Sequence, residues 1–355
     1  MNMPETGHNT SRGLPPQPPS GTVSTAIMRL LVAAVRDAGL TGSGRAIVPG
    51  TSAEALRDDR NRVATASATL LWEYLVQASG RGRAGLELAS RAVPGELGVW
   101  DQLLTAGLTV FDGLRDAATY LAVLADADRE SLEVRVDGDL VVVRHRSRDL
   151  EPELAGAVGE FAAGVLTRRV VEAAGRTVVP VRVGFAHRAP RGAAYREVAD
   201  LLGTTRIDYE QPDNAITFFA ADALAPVAHP RPGLPQILRS HADLLLGGAQ
   251  VVGDWRALLR ATIAASLPAG PPRLTEVAAR LHISPRTLQR RLDEAGTSWR
   301  AEVDLVRAEQ ARLMERALPQ RAVAARLGYR DERSLRRAQL RWASSFAGPA
   351  VSCRF

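Results

Sequence analysis

Apolar residues recur at helical spacing from position 23 to about 40, where Ile27, Leu30, Leu31, Ala34 and Val35 form one stripe, and the same period returns at 63–78, 100–108 and 114–125. Amphipathic helices are predicted there. At 131–145 the period changes to two. Leu132, Val134 and Val136 alternate with polar residues, Asp137-Gly138 supplies a turn, and Leu140 to Val143 resume an apolar run, which predicts a β-hairpin. A long apolar helix at 151–174 follows, then a strand at 178–185, a helix at 193–202, and short strands at 205–209 and 215–219 around a Pro-Asp-Asn turn. Residues 22–225 therefore read as one α+β domain. Pro226, Pro230, Pro232, Gly233 and Pro235 open a linker over 226–270 with helical patterns at 235–247 and 252–266, and Pro268-Ala-Gly-Pro-Pro272 closes it. Residues 1–21 are rich in proline and poor in apolar side chains, so burial there cannot offset ordering entropy and a disordered tail is predicted.

The remaining residues, 271–355, read as an all-α domain built on a repeat. The string Val277-Ala-Ala-Arg-Leu281 recurs as Val323-Ala-Ala-Arg-Leu327, each followed by a turn and an arginine-rich helix. In the first copy Leu274, Val277, Ala278 and Leu281 give a short helix one apolar face. His282-Ile283 makes the turn, Ser284 is placed to cap the next helix, and Pro285 suits its first position because no donor is needed there. Leu288 and Leu292 then face inward, leaving Arg286, Gln289 and Arg290 outside. In the second copy Gly328 permits a left-handed turn, Asp331 is the expected cap, and Leu335 faces inward. Glu332, Arg333, Arg336 and Arg337 are left outside. Between the copies, Trp299, Val303, Val306, Gln310 and Leu313 fall on one face of a linker helix at 298–316. Two helix-turn-helix units joined by a helix are predicted, each offering an exposed Arg-bearing helix to a major groove.

Charge sharpens that reading. All 45 basic residues are arginine, a usage that a GC-rich genome explains without any function. Their placement is the informative part. Residues 271–355 hold 17 arginines against 9 acidic residues, whereas residues 1–270 are close to neutral with 28 arginines and 30 acids. A localised positive surface is what counterion release from phosphates requires.

Residues 273–342 resemble the DNA-binding domain of the AraC/XylS family. The resemblance rests on Pro285-Arg-Thr-Leu-Gln-Arg-Arg-Leu292, Glu294-Ala-Gly-Thr-Ser298, Val306-Arg307 with Ala311, Ala324-Ala-Arg-Leu-Gly-Tyr329 and Arg341-Trp342. It implies base-contacting roles for Arg286, Gln289 and Arg290 in the first unit and for Glu332, Arg333, Arg336 and Arg337 in the second. Residues 22–225 are similar, more loosely, to the effector-binding domain of the branch containing regulators of ornithine utilisation, around Gly95-Glu-Leu-Gly98 and Leu114 to Leu124. Two positions depart from the family pattern: His282 stands where glycine is usual, and Gln339 where an aromatic core residue is usual. Gln339 either turns outward with Leu340 taking its place, or leaves the second unit marginally packed.

The implied protein is a sequence-specific transcription factor that binds double-stranded DNA, contacts RNA polymerase, dimerises, and responds to a small organic effector. The alternative is a constitutive regulator whose N-terminal domain only oligomerises. Trp72, Trp100 and Tyr120 are the candidate effector-binding residues among aromatics whose first role is core packing. No cofactor, metal or catalytic residue is expected: His145, His187, His229 and His241 lack metal-ligand spacing, and Gly42-Ser-Gly44 and Gly80-Arg-Gly82 lack the strand-to-helix context of a phosphate loop. Absence of a signal-peptide layout and of an apolar run long enough to span a bilayer, with Cys353 as the single cysteine, predicts a cytoplasmic, nucleoid-associated protein.

Overall fold

The computed structural model describes residues 14–40, 48–79, 84–190, 193–281, 283–314 and 318–346. Most of the predicted tail, both glycine-rich loops, His282 and Cys353 lie outside them. Strand β1 (Thr22–Ser24) runs into α1 (Thr25–Asp37), and β2 (Asn61–Ala64) runs into α2 (Thr65–Ser79). Helices α3 (Ala84–Arg91), α4 (Val99–Thr105) and α5 (Val110–Thr119) follow, and a single 3-10 turn over Leu121–Val123 comes after them. The hairpin is β3 (Glu130–Asp137) and β4 (Leu140–Ser147), after which α6 (Pro152–Ala174) crosses the domain. Then come β5 (Arg182–Gly184), α7 (Ala193–Leu202), β6 (Ile207–Asp208), β7 (Asn214–Phe219), α8 (Ala220–Ala223), α9 (Leu234–Gly247), β8 (Gln250–Val252) and α10 (Trp255–Ser266).

Two sheets result. Five strands in the order β3-β4-β7-β5-β6 form the larger, antiparallel except for the β5/β6 pair. Its inner face carries Val141 and Val143 of β4 opposite Phe218 and Ile216 of β7, and α6 packs against it. Helix α6 is apolar on nearly all sides because it is covered on nearly all sides, with α3 on its far flank. Gly85 permits that approach, since a Cβ there would sit 2.0 Å from the Ala157 carbonyl oxygen. The smaller sheet has the order β1-β2-β8. Its strands are three or four residues long, too short to show a period along the chain.

Some expectations are corrected by this arrangement. The helix expected to start at Val23 starts at Thr25, because Val23 pairs with Val63 in the small sheet. The helix expected at 114–125 ends at Thr119, and the strand expected at 178–185 shrinks to Arg182–Gly184. Within residues 226–270, where a linker with helices is expected, 228–233 are exposed, α9 lies on α4, and β8 pairs in parallel with β2. Helix α10 divides its sides between two cores. Leu258 and Ala261 belong to the core of the N-terminal region, and Leu259 and Ile263 to that of the C-terminal helices.

The C-terminal region is helical: α11 (Leu274–Arg280), α12 (Pro285–Glu294), α13 (Trp299–Met314), α14 (Gln320–Arg326) and α15 (Glu332–Phe346). One continuous core joins α10 to all five, running from Leu259 through Val277, Leu288, Val306 and Leu327 to Trp342. Leu313, expected on the inner face of α13, is 60% exposed because the inner stripe of Val303, Val306 and Gln310 continues to Met314, which packs against that core in its place. Leu340 is 71% exposed, so it does not replace Gln339, which is half-buried; Ala338 and Trp342 fill the space instead. Among the described residues no helix is long and apolar enough to cross a membrane.

Candidate nucleic-acid interface and ligand cavity

Helix α12 begins where the sequence places it. Ser284 Oγ accepts a hydrogen bond from the Thr287 N–H at 3.0 Å, and Pro285 occupies the first turn. Leu288 and Leu292 are fully buried against α11, which turns Arg286, Gln289, Arg290 and Asp293 outward as one exposed stripe. Two of these side chains are tied to their own helix: Gln289 donates to Asp293 Oδ1 at 3.0 Å, and Arg290 lies 3.6 Å from Glu294. Such exposed i,i+4 ties contribute about 0.3–0.5 kcal/mol each and are readily exchanged for another acceptor.

Helices α14 and α15 repeat the layout. Gly328 has φ +73°, and a Cβ there would meet the Gly270 carbonyl oxygen at 2.7 Å, so the turn is compatible only with glycine. Asp331 Oδ1 accepts from the Ser334 N–H at 2.7 Å, and that bond holds its carboxyl below the usual range. Glu332, Arg333, Arg336 and Arg337 are exposed, opposite buried Leu335 and Ala338. Helix α13 holds this pair of helices through Arg307, which donates to the Leu327 carbonyl at 3.1 Å and stacks 4.6 Å from the Tyr329 ring centroid. On its other side α13 is fixed to α10 by Glu302, whose oxygens accept from Arg256 and Arg260 at 2.8 Å each and from Thr297 at 3.0 Å. Burial would raise the Glu302 carboxyl, but these donors outweigh it and the group stays below its ordinary range. Both exposed stripes thereby lie on helices that share one hydrophobic core.

A cavity of about 90 Å³ lies inside the N-terminal region, between α2, α4, α6 and the β3/β4 hairpin. Trp72 and Trp100 line it, with Phe161 edge-on to Trp72 at a centroid distance of 5.7 Å. Tyr120 does not line it; it packs in a separate cluster with Val99 and Leu246 beneath α9. Sequence reasoning missed the cavity's polar corner, where His145 Nε2 sits 2.9 Å from Glu130 Oε2. The available signal was a histidine in register with Val141 and Val143 on the buried face of β4.

The contact between the two regions was also not legible in sequence. Arg280 of α11 forms an ion pair with Glu73 of α2 and donates to Ser266 Oγ at 3.1 Å. Burial pushes the Glu73 carboxyl up, and Arg280 opposes that shift. Further inside, Gly95 and Gly98, both at positive φ, shape the loop before α4, and the Gly95 N–H donates to Asp101 at 2.7 Å. Asp101 in turn forms a bidentate pair with Arg169 of α6 at 2.6 and 2.9 Å, with both residues almost fully buried. The glycine motif thus supports an ion pair that the sequence did not reveal. Among the described residues no group of three or more His, Cys, Asp or Glu is placed to hold a metal ion.

A mixed α/β region joined to a compact helical body that presents an arginine-rich exposed helix is the architecture of a DNA-binding transcription regulator. Residues 48–227 match the N-terminal arabinose-binding domain of AraC transcription regulators, and residues 277–346 match a helix-turn-helix domain. The chain belongs to the AraC family. The ornithine utilization regulator of Pseudomonas aeruginosa is 29% identical over 276 residues, spanning 76% of this chain and 78% of that protein. The crystal structure of transcriptional regulator CdpR from Pseudomonas aeruginosa aligns with a TM-score of 0.44 and 21% identity, over 90% of this chain and 95% of that one.

Proposed function

We propose that this regulator reads DNA with two helix-turn-helix units, α11/α12 and α14/α15, and that a small organic effector in the N-terminal cavity controls it. Arg286, Gln289 and Arg290 contact bases in one major groove, with Arg to guanine O6/N7 and Gln to adenine N6/N7 as the matching chemistry. Glu332, Arg333, Arg336 and Arg337 serve the second unit in a neighbouring groove segment on the same face of the duplex. The shared core and the Glu302 and Arg307 contacts of α13 support a fixed spacing between them.

The observation that carries effector control is the double role of α2. Thr65, Ala68, Thr69 and Trp72 line the cavity, while the next residue, Glu73, holds Arg280 of the first DNA-binding unit. A molecule that fits the cavity better in one setting of α2 favours one setting of α11, which is the differential affinity that control requires. Selection from randomised duplex DNA tests the first half: a motif covering two adjacent groove segments is expected, and it should vanish when Arg286, Gln289 and Arg290 are all changed to Ala. Heating the protein with a metabolite panel tests the second. A ligand at about 100 times its Kd stabilises by roughly 2.7 kcal/mol, and the same compound must change DNA affinity. Recovery of a DNA motif with no compound acting would instead indicate a constitutive regulator with an oligomerising N-terminal domain.

A further inference from the structure

The five-stranded sheet ends on β6, two residues long, at one side and on β3, eight residues long, at the other. Exposed edge strands are usually kept short or interrupted by proline or a bulge, because their free N–H and C=O groups are a template for another strand. Strand β3 has no proline, and its register with β4 runs unbroken from Glu130↔Ser147 to Asp137↔Leu140. The phase of that ladder is fixed just beyond it, where the Arg148 N–H donates to the Arg129 carbonyl at 2.9 Å. Odd-numbered residues of β3 therefore exchange backbone bonds with β4, and the N–H and C=O groups of Leu132, Val134 and Val136 point away from it. Helix α5 packs near the strand but neither donates to nor accepts from these groups, which have no hydrogen-bond partner among the described residues. On the outer face Glu133 and Arg135 are exposed, and on the inner face Val136 is 48% exposed.

We infer that β3 docks on β3 of a second copy of this chain, antiparallel about a twofold axis at Val134, so that the two sheets become one. The pairing involves neither the cavity nor the exposed stripes of α12 and α15. Only even-numbered residues can bond across this edge, which leaves few symmetric registers, and charge separates them. A twofold axis at Glu133 sets that carboxylate against its own copy, and one at Arg135 sets arginine against arginine; like charges directly opposite are destabilising. An axis at Leu132 brings Arg135 to Arg129, and one at Val136 brings Glu133 to Asp139. With the axis at Val134, Glu133 lies opposite the second copy's Arg135, and Arg135 opposite its Glu133, in the closely spaced pairs that exchange no backbone bond. On the inner face the same register sets Leu132 against Val136 and Val134 against its own copy, which covers the exposed Val136. Within one chain Glu133 lies 3.9 Å from Arg146 and Arg135 lies 3.4 Å from Asp137, exposed ties that are readily exchanged.

The experiment is analytical ultracentrifugation of the full chain without DNA, which should show a dimer at micromolar concentration. Glu133→Arg makes the edge positive at both positions, and Arg135→Glu makes it negative at both. Each variant alone should dimerise roughly tenfold more weakly, or worse, because like charges then face each other across the axis. Mixing the two in equal amounts should restore a dimer of mixed composition, since each edge meets its opposite. The double variant Glu133→Arg with Arg135→Glu regains the alternation and should dimerise like the parent. Both positions are exposed, so the fold does not depend on them. A parent chain that stays monomeric overturns the inference, as do single variants that dimerise as tightly as the parent, or a mixture that remains monomeric.

Discussion

Arg280, the last residue of α11, is paired with Glu73 of α2, and the residue before Glu73 is Trp72 in the wall of the cavity. One turn of one helix therefore touches both the cavity and α11 of the C-terminal region. Each partner keeps about a quarter of its side chain exposed, at 29% and 23%, so the pair is screened and modest in energy. Glu73→Gln and Arg280→Ala should each destabilise by about 1 kcal/mol, and a double-mutant cycle in denaturant should return a coupling of about 0.5–1 kcal/mol. Strict additivity would show that the two regions are not held together by this contact.

The Asp101–Arg169 pair should behave very differently. With both groups nearly fully buried, removing one leaves a charge without a partner, at a cost of about 3–5 kcal/mol. Urea unfolding of Arg169→Ala and Asp101→Ala should each show this loss, and the double variant should lose much less than the sum. Losses below about 1 kcal/mol would mean that water reaches the pair.

Glu160 on α6 sets a pH dependence. Neither carboxylate oxygen has a hydrogen-bond partner among the described residues, and His187 Nε2 lies 3.4 Å away. Burial pushes Glu160 from 4.5 up to about 8, and burial pushes the His187 imidazole below its ordinary 6.5. Between pH 4.5 and about 8 the folded chain holds a proton on Glu160 that the unfolded chain has lost, so stability falls as pH rises through that window. His187 acts oppositely: it stays neutral when folded, and its contribution is lost as pH falls below about 6.5. Thermal unfolding between pH 6.5 and 8 isolates Glu160. The melting temperature should decline across that interval in the parent chain and stay level in Glu160→Gln.

On the proposed DNA-binding face of α12, Arg290→Ala should cost about 1–3 kcal/mol and relax base preference if the residue pairs with guanine. Uniform weakening with a shallower salt slope would mark it as a phosphate contact instead. Glu294 lies 3.6 Å from Arg290, so on the proposed reading it competes for that side chain and places negative charge near the phosphates. Glu294→Gln should therefore tighten binding at low salt, and a filter-binding salt titration that shows no gain would remove Glu294 from the interface.

What the sequence determined by itself was local. The repeat, the Ser284 and Asp331 caps, the Gly328 turn and the exposed stripes of α12 and α15 all follow from residues within a few positions of one another, where spacing decides which side is buried. The hairpin at Asp137-Gly138 and the long helix α6 were legible for the same reason. Tertiary structure decided everything that depends on residues far apart in the chain. The three-residue strands of the small sheet exist only because they find one another, and α10 serves two cores because each claims a different side of it. Asp101 finds Arg169 from 68 positions away, Glu73 meets Arg280 from 207 positions away, and the cavity closes where α2, α6 and the hairpin fail to fill the space between them. Burial makes those pairings matter energetically, and no periodicity along the chain records which distant side chain will be there to meet a buried charge.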